Sequence, residues 1–266
     1  MQPHEIVQQM RKTYDRYFMS SLYRQRYPRP NEATLDFVLR SRVREIEHVL
    51  DFGCGNGRYA FPLLQRSHDC VTAYDISALS LAEFESRLRD TPYRSRVRFV
   101  HDDLDTLARL GQYDVILMLF GVLSHLGDRA TRIDMLKRLR GMMRADGRLV
   151  LSVPSRLRRY PGVLLRHALA RCLRTAHAPL DEAGNIFYTR SANGDRMTFF
   201  YHLYTLDELR AELATAGFAV RRSEAESVLP ERWVTQSSFV GQLDRCLAAC
   251  LMPSLGYGMR VLATPI

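Results

Sequence analysis

His48-Val49-Leu50-Asp51-Phe52-Gly53-Cys54-Gly55-Asn56-Gly57 is the stretch on which the reading of this chain turns. Residues 49–52 form a short run that reads as a strand and ends at three glycines set two apart. Residues 59–65 follow with a helical pattern. A strand that stops at a glycine turn and re-enters as a helix is where a parallel sheet binds its ligand. Glycine suits that turn because no Cβ blocks a close approach to the backbone. A dinucleotide fingerprint, G-x-G-x-x-G counted from Gly53, requires a third glycine at position 58. Arg58 stands there instead, and the third glycine comes one place early at Gly57. Asp51 just before the first glycine repels a pyrophosphate and suits a cation. One unit-charge pair at ~4 Å and an effective dielectric of about 20 is worth about 4 kcal/mol before desolvation. The loop therefore predicts a nucleoside that bears an ammonium group and no phosphate. A P-loop, G-x-x-x-x-G-K-[ST], does not occur.

Strands and helices alternate outward from this loop. Strands are expected at 71–74, 97–100, 115–119 and 148–153, and helices at 79–89 and 133–143. The run 115–119 is apolar throughout, as a central strand covered on both faces must be. Asn31 is placed to cap a helix carrying Leu35, Val38 and Leu39, and Asp146-Gly147 predicts a turn. Such alternation implies a parallel sheet with right-handed crossovers, the α/β class. The pattern breaks at Pro154. Residues 155–180 hold six arginines and no acid. Within them 162–174 fits an amphipathic helix, with Leu165, Leu169 and Leu173 on one stripe and Arg166, Arg171 and Arg174 opposite. Segments 187–190 and 197–201 flank Asn193-Gly194, the strongest hairpin signal in the chain. A helix at 206–216 stopped by Gly217, a strand at 218–222, a helix at 236–250 and a strand at 258–263 complete the pattern. The expectation is one domain over 1–266. Its N-terminal helical cap spans 1–44, and an inserted substrate lid at 155–204 covers the carboxyl ends of the sheet.

The chain has 266 residues, 46% apolar and 25% charged, which excludes disorder, collagen and coiled coil. The formal charge is +9, and all basic residues but Lys12 and Lys137 are arginine. A GC-rich genome accounts for such a bias, and a surface that meets anions is the functional alternative. Five cysteines without a CxxC pair indicate neither a disulfide framework nor a zinc site, and no metal is expected. Cys246 and Cys250, one helical turn apart, are expected in the core. The polar N-terminus is no signal peptide, and the longest uncharged runs, 115–127 and 247–259, are too short to span a bilayer. A cytoplasmic protein is expected.

Two further acidic positions bear on the ligand. Asp75 ends the second strand, where a carboxylate accepts from ribose hydroxyls; Ser77 is free to cap the next helix. Asp102 and Asp103 follow the third strand. One of them accepts from an adenine amino group, with Asp103 the first choice, and the other serves the turn.

D-F-G-C-G-N-G, the acid closing strand two, H-D-D-L after strand three and Y-D-V-I-L-M-L-F-G-V-L-S-H-L at strand four together resemble the class I S-adenosylmethionine-dependent methyltransferases. The resemblance spans about residues 45–154, and 205–225 more loosely. It implies a Rossmann-like, seven-stranded, mostly parallel sheet whose last strand is antiparallel, with helices on both faces. It further implies S-adenosylmethionine as cofactor. Asp51, Gly53, Gly55 and Gly57 would hold the methionine part, and Asp75 with Ile76 the ribose side. Asp102, Asp103 and Leu104 would frame the adenine, and Phe120 would line the site. Methyl transfer from a sulfonium is an in-line displacement that needs alignment and a dry cavity, and a base only for a protonated nucleophile. His125 and His202 are the candidate bases; Tyr14, Tyr17 and Tyr201 are the candidate substrate contacts. The acceptor is expected to be a small molecule. A tRNA is the alternative, since F-F-Y-H-L-Y-T-L-D-E-L loosely resembles the tRNA wobble-uridine carboxymethyl methyltransferases and the basic helix could track phosphates. A module that binds the cofactor without catalysis is the third reading.

Overall fold

The computed structural model describes residues 3–173, 182–192 and 195–266. Its main sheet has strands β1 (His48–Phe52), β2 (Cys70–Asp75), β3 (Val97–His101), β4 (Tyr113–Met118), β5 (Met143–Pro154), β8 (Phe218–Ser227) and β9 (Gly258–Pro265). Their order is β3-β2-β1-β4-β5-β9-β8, with a separate hairpin of β6 (Asn185–Ala192) and β7 (Asp195–His202). Neighbouring strands from β3 to β5 run parallel, and β9 is antiparallel to both β5 and β8. The seven strands and the one reversed strand match the expected fold.

Alternation within strands sets the layers. In β4, Val115 and Leu117 pack toward α3 (Glu32–Arg40), α4 (Ala60–Arg66) and α5 (Ala78–Leu88). Ile116 and Met118 pack with the opposite layer, toward α6 (Leu104–Arg109), α7 (Arg129–Gly141) and α9 (Leu206–Thr215). Helix starts follow local chemistry. Asn31, Ser77 and Asp128 each accept a backbone N–H of the first turn, and Thr205 with Glu208 forms a capping box on α9. A third apolar cluster joins α1 (Pro3–Met19) and α2 (Leu22–Arg26) to the hairpin through Met10, Phe18, Tyr23, Phe199 and Phe200.

Several details differ from the sequence reading. Asp146-Gly147 makes no free turn; residues 144–147 bulge within β5 between the Met143–Tyr113 and Arg148–Val115 pairs. The helix expected at 236–250 is α11 (Ser238–Ala249); a short helix the sequence did not mark, α10 (Glu231–Gln236), precedes it, and Ser237 leaves helical geometry between them and caps α11. On α8 (Pro161–Cys172), Val163, Leu164 and His167 meet the hairpin, whereas Leu165, Leu169 and Leu173 are exposed. Helical period finds an apolar stripe but not the face that tertiary packing covers. Cys246 and Cys250 are likewise exposed on α11. Asn193-Gly194 and Arg174 lie outside the described residues, as does the side chain of Arg171. The excursion 155–204 leaves and rejoins the sheet at one place, where Ser155 bridges Tyr204.

Candidate active site

Two adjoining cavities lie beyond the carboxyl ends of β1, β2 and β4. The larger encloses about 240 Å3. Its floor is the glycine loop, and Met10, Tyr14 and Phe18 of α1 close it from above. Asp51, Gly53, Gly55, Asp75, Ile76, Asp102, Leu104, Phe120, His125 and Tyr14 all line it, so most of the positions singled out in the sequence converge.

The glycines adopt left-handed backbone, with φ of 81° at Gly53 and 55° at Gly55. A Cβ at Gly55 would stand 3.4 Å from the Phe18 ring, in the space between loop and α1. Gly57 behaves differently. It is absent from the cavity wall, and its Cβ would fall 2.2 Å from Phe84. Its bareness serves the packing of the loop on α5.

Asp51 is buried at the end of β1, and its Oδ2 has no hydrogen-bond partner among the described residues. Burial, and then the charge of Asp75, lift its carboxyl to about 7. Asp75 accepts from the backbone N–H of Gly55 at 2.7 Å and of Ser77 at 2.8 Å. Burial raises its pKa while these bonds oppose the shift. Ser77, not Asp75, caps α5. Asp102, with positive φ, turns its side chain to Arg11 of α1 and lines the cavity. Asp103, the first choice in the sequence, is instead the cap of α6, accepting from the Thr106 N–H at 2.8 Å. Asp103 is thus the one that serves the turn, and Asp102 the one at the cavity wall.

His125 is held on both nitrogens. Nδ1 donates to the Phe200 carbonyl at 2.7 Å, so Nε2 accepts from the Tyr14 hydroxyl at 2.7 Å. Burial lowers its pKa to about 4, and the imidazole is neutral at pH 7. His202 does not join the site. It is fully buried among Asn185, Glu182 and Glu208, beside the Arg132–Glu212 pair at 2.6 Å. Strand alternation explains this, since Tyr201 and His202 face opposite sides of the hairpin.

Tyr17 and Tyr201 line the second cavity, about 30 Å3, which shares Tyr14, Tyr23 and Phe120 with the first. Phe120 has φ of 61°, strained for a non-glycine residue, and its N–H is tied to Ser152 Oγ at 2.8 Å. Arg58 lies over its ring at 4.4 Å and pairs with Glu231 at 2.7 Å. Sequence reasoning passed over Arg58, although its place in a glycine position was the available signal. It missed Arg159, Arg190 and Glu226 of the second cavity altogether, since no local pattern marks them.

A methyltransferase-domain family model matches residues 50–149. The tRNA U34 carboxymethyltransferase of Idiomarina loihiensis is 30% identical over 105 residues, 39% of this chain and 31% of that one. The enzyme of the same name from Shewanella woodyi is 33% identical over 103 residues, 39% of this chain and 30% of its own. The chain thus spans under a third of the curated relatives it matches. Among solved structures, an S-adenosylmethionine-dependent methyltransferase from Clostridium acetobutylicum has a TM-score of 0.62 at 12% identity, covering 95% of this chain and 98% of that one. The CcbJ methyltransferase from Streptomyces caelestis has a TM-score of 0.59 at 15% identity, covering 89% and 90%. At such identities the likeness is one of fold. The motifs, the strand order and the matched domain agree: residues 50–149 are similar to a methyltransferase domain, and the sheet has the order that this resemblance implies.

Proposed function

We propose that this chain binds S-adenosylmethionine in the larger cavity and transfers its methyl group to a small-molecule acceptor in the smaller one. The observation that carries the reading is the unpaired Asp51 Oδ2, buried in a cavity whose other acids are Asp75 and Asp102. An uncompensated buried carboxylate is costly unless a cation joins it. An amino-acid ammonium supplies that cation, and a pyrophosphate is repelled. Asp51, Gly53 and Gly55 would hold the methionine part, Asp75 and Ile76 the ribose, and Asp102 and Leu104 the adenine. The bound sulfonium supplies an electrophilic methyl, so the protein has only to align the acceptor and exclude water.

The remaining groups act by position. Tyr14 stands at the junction of the two cavities with its O–H committed to His125, and His125 is anchored in turn on Phe200. His125 is a positioning residue in this reading and not a base. Residues 155–204 serve as a lid in which Tyr201 faces the acceptor.

Calorimetry with S-adenosylhomocysteine, NAD and ATP tests the assignment. The homocysteine nucleoside binds, the phosphorylated two do not, and Asp51→Ala loses at least tenfold in affinity. Binding of NAD or ATP in its place refutes the reading. A tRNA acceptor is the second reading, favoured by the names of the curated relatives and by exposed Arg166 on α8. It requires binding to bulk tRNA that weakens steeply with salt.

A further inference from the structure

We propose that the smaller cavity is an anion seat, in which Arg159 and Arg190 hold the carboxylate of a small planar acceptor. The proposal rests on the methyl-transfer reading and adds to it the chemical class of the acceptor. Four arginines are fully buried among the described residues, and each has a glutamate. Arg58 meets Glu231 at 2.7 Å, Arg132 meets Glu212 at 2.6 Å, Arg148 meets Glu47 at 2.7 Å and Arg260 meets Glu224 at 2.8 Å. The two arginines of the cavity wall, which are half-buried, have no such glutamate. Arg190 of β6 donates to the hydroxyls of Tyr17 and Tyr27, the latter at 3.3 Å. Arg159, just after β5, lies 4.9 Å over the Tyr257 ring, and its Nε is buried without a partner. Neither guanidinium has a carboxylate partner among the described residues. A chain that pairs its buried guanidiniums with glutamates, and leaves these two half-buried at a cavity wall without one, keeps a place for an anion.

The field at the cavity agrees. Burial pushes the Tyr27 phenol up, yet Arg190 and Arg26 pull it below its ordinary value. No acid of the cavity forms an ion pair with either arginine among the described residues. Glu231 is taken by Arg58, and burial with the neighbouring Glu231 lifts Glu226 to about 7, although the charges of Arg260 and Arg159 oppose the shift. The walls select shape as well as charge. Tyr188 and Phe199 stack at 5.1 Å with planes 10° apart, and Arg190 lies 5.3 Å over the Tyr188 ring. Flat aromatic faces beside an unpaired guanidinium suit a planar acid, bound through a forked pair of hydrogen bonds.

Ligand-observed NMR on the full chain tests the seat, using benzoate, 4-hydroxybenzoate, cinnamate and indole-3-carboxylate, each beside its primary amide. Expected is at least one acid that binds tenfold or more tighter than its amide, with the preference falling below twofold in Arg159→Gln/Arg190→Gln. If no acid outbinds its amide, or the preference survives in the double variant, the proposal is overturned. Should the double variant fail to fold, Arg159→Gln alone must lose most of the preference and Arg159→Lys must keep it. Displacement of the acids by bulk tRNA, with affinity that falls with salt, also overturns the proposal and gives the arginines to RNA phosphates. S-adenosylhomocysteine binding is read separately. Its absence sinks the methyl-transfer reading, while the acid–amide comparison, repeated without it, still judges the seat.

Discussion

At the scale of single residues, the site stores free energy in one carboxyl group. The Asp51 side chain is buried with no partner for Oδ2 among the described residues, and its pKa stands at about 7 against an ordinary carboxylate value. In the unfolded chain this group ionises near 4, so the native state binds the extra proton between about pH 4 and pH 7. Stability from this group is therefore present at low pH and lost as pH rises toward 7. Asp51→Asn should raise the melting temperature of the ligand-free protein at pH 8, by about 1–3 kcal/mol in stability, and abolish the gain from S-adenosylhomocysteine. A lower melting temperature in the variant would show that Asp51 is already paired in the free protein. The sign for His125 is opposite. Its folded pKa, about 4, lies below the unfolded value. Its contribution is complete above about pH 6.5 and is lost as pH falls through 4. The kinetic consequence is simple: the pH profile of kcat/KM should show no ionisation near 6.5 assignable to His125, and His125→Asn should not remove one. A limb near 6.5 that vanishes in the variant would restore His125 as a base.

At the scale of elements, the glycine loop divides its work. Gly55→Ala places a Cβ between the loop and Phe18, so it should cost at least tenfold in cofactor affinity and about 1 kcal/mol in stability from the left-handed backbone. Gly57→Ala drives a Cβ into the Phe84 ring, buried beneath α5, and should cost about 2–4 kcal/mol of stability from overpacking and backbone strain together. Thermal melts with and without S-adenosylhomocysteine separate the two effects; equal loss of stability in both variants would refute the division. The loop was legible because its chemistry is local: strand, turn, acid and helix lie within about ten residues. Which of Asp102 and Asp103 serves the turn was not legible, because both precede a helix and only the backbone decides which one caps it. The leucines of α8 show the same limit, since period reveals a stripe but not its partner. Arg159 and Arg190 had no sequence signature, because Tyr17, Arg159 and Arg190 meet across more than a hundred residues of chain.

At the scale of the whole molecule, the sheet supplies the floor of the cofactor cavity and two peripheral segments supply its cover. α1 brings Met10, Tyr14 and Phe18, and the hairpin locks onto α1 through Phe199 and Phe200. The link between cover and floor is a handful of polar contacts, in one of which the Ser77 hydroxyl donates to Asp15 of α1 at 2.6 Å. The Tyr14–His125–Phe200 chain ties α1, the turn after β4 and β7 together, and Arg11 reaches Asp102. Such a cover should open more easily than the sheet it rests on, because it buries one small cluster where the sheet buries two large ones. A ligand enclosed between them must then stabilise the cover as a unit. At a hundred times the dissociation constant the linkage is about 2.7 kcal/mol, or roughly a hundredfold slowing of exchange in any segment that opens only with ligand release. Hydrogen exchange with and without S-adenosylhomocysteine should show that slowing jointly in residues 7–18 and 197–202, although 197–202 do not line the cofactor cavity. Tyr14→Phe should keep protection in the glycine loop while reducing it in 197–202, since it cuts the link through His125. Protection confined to residues 51–57 and 75–76 would mean that α1 and the hairpin are fixed walls, and that the segment after β5 does not act as a lid.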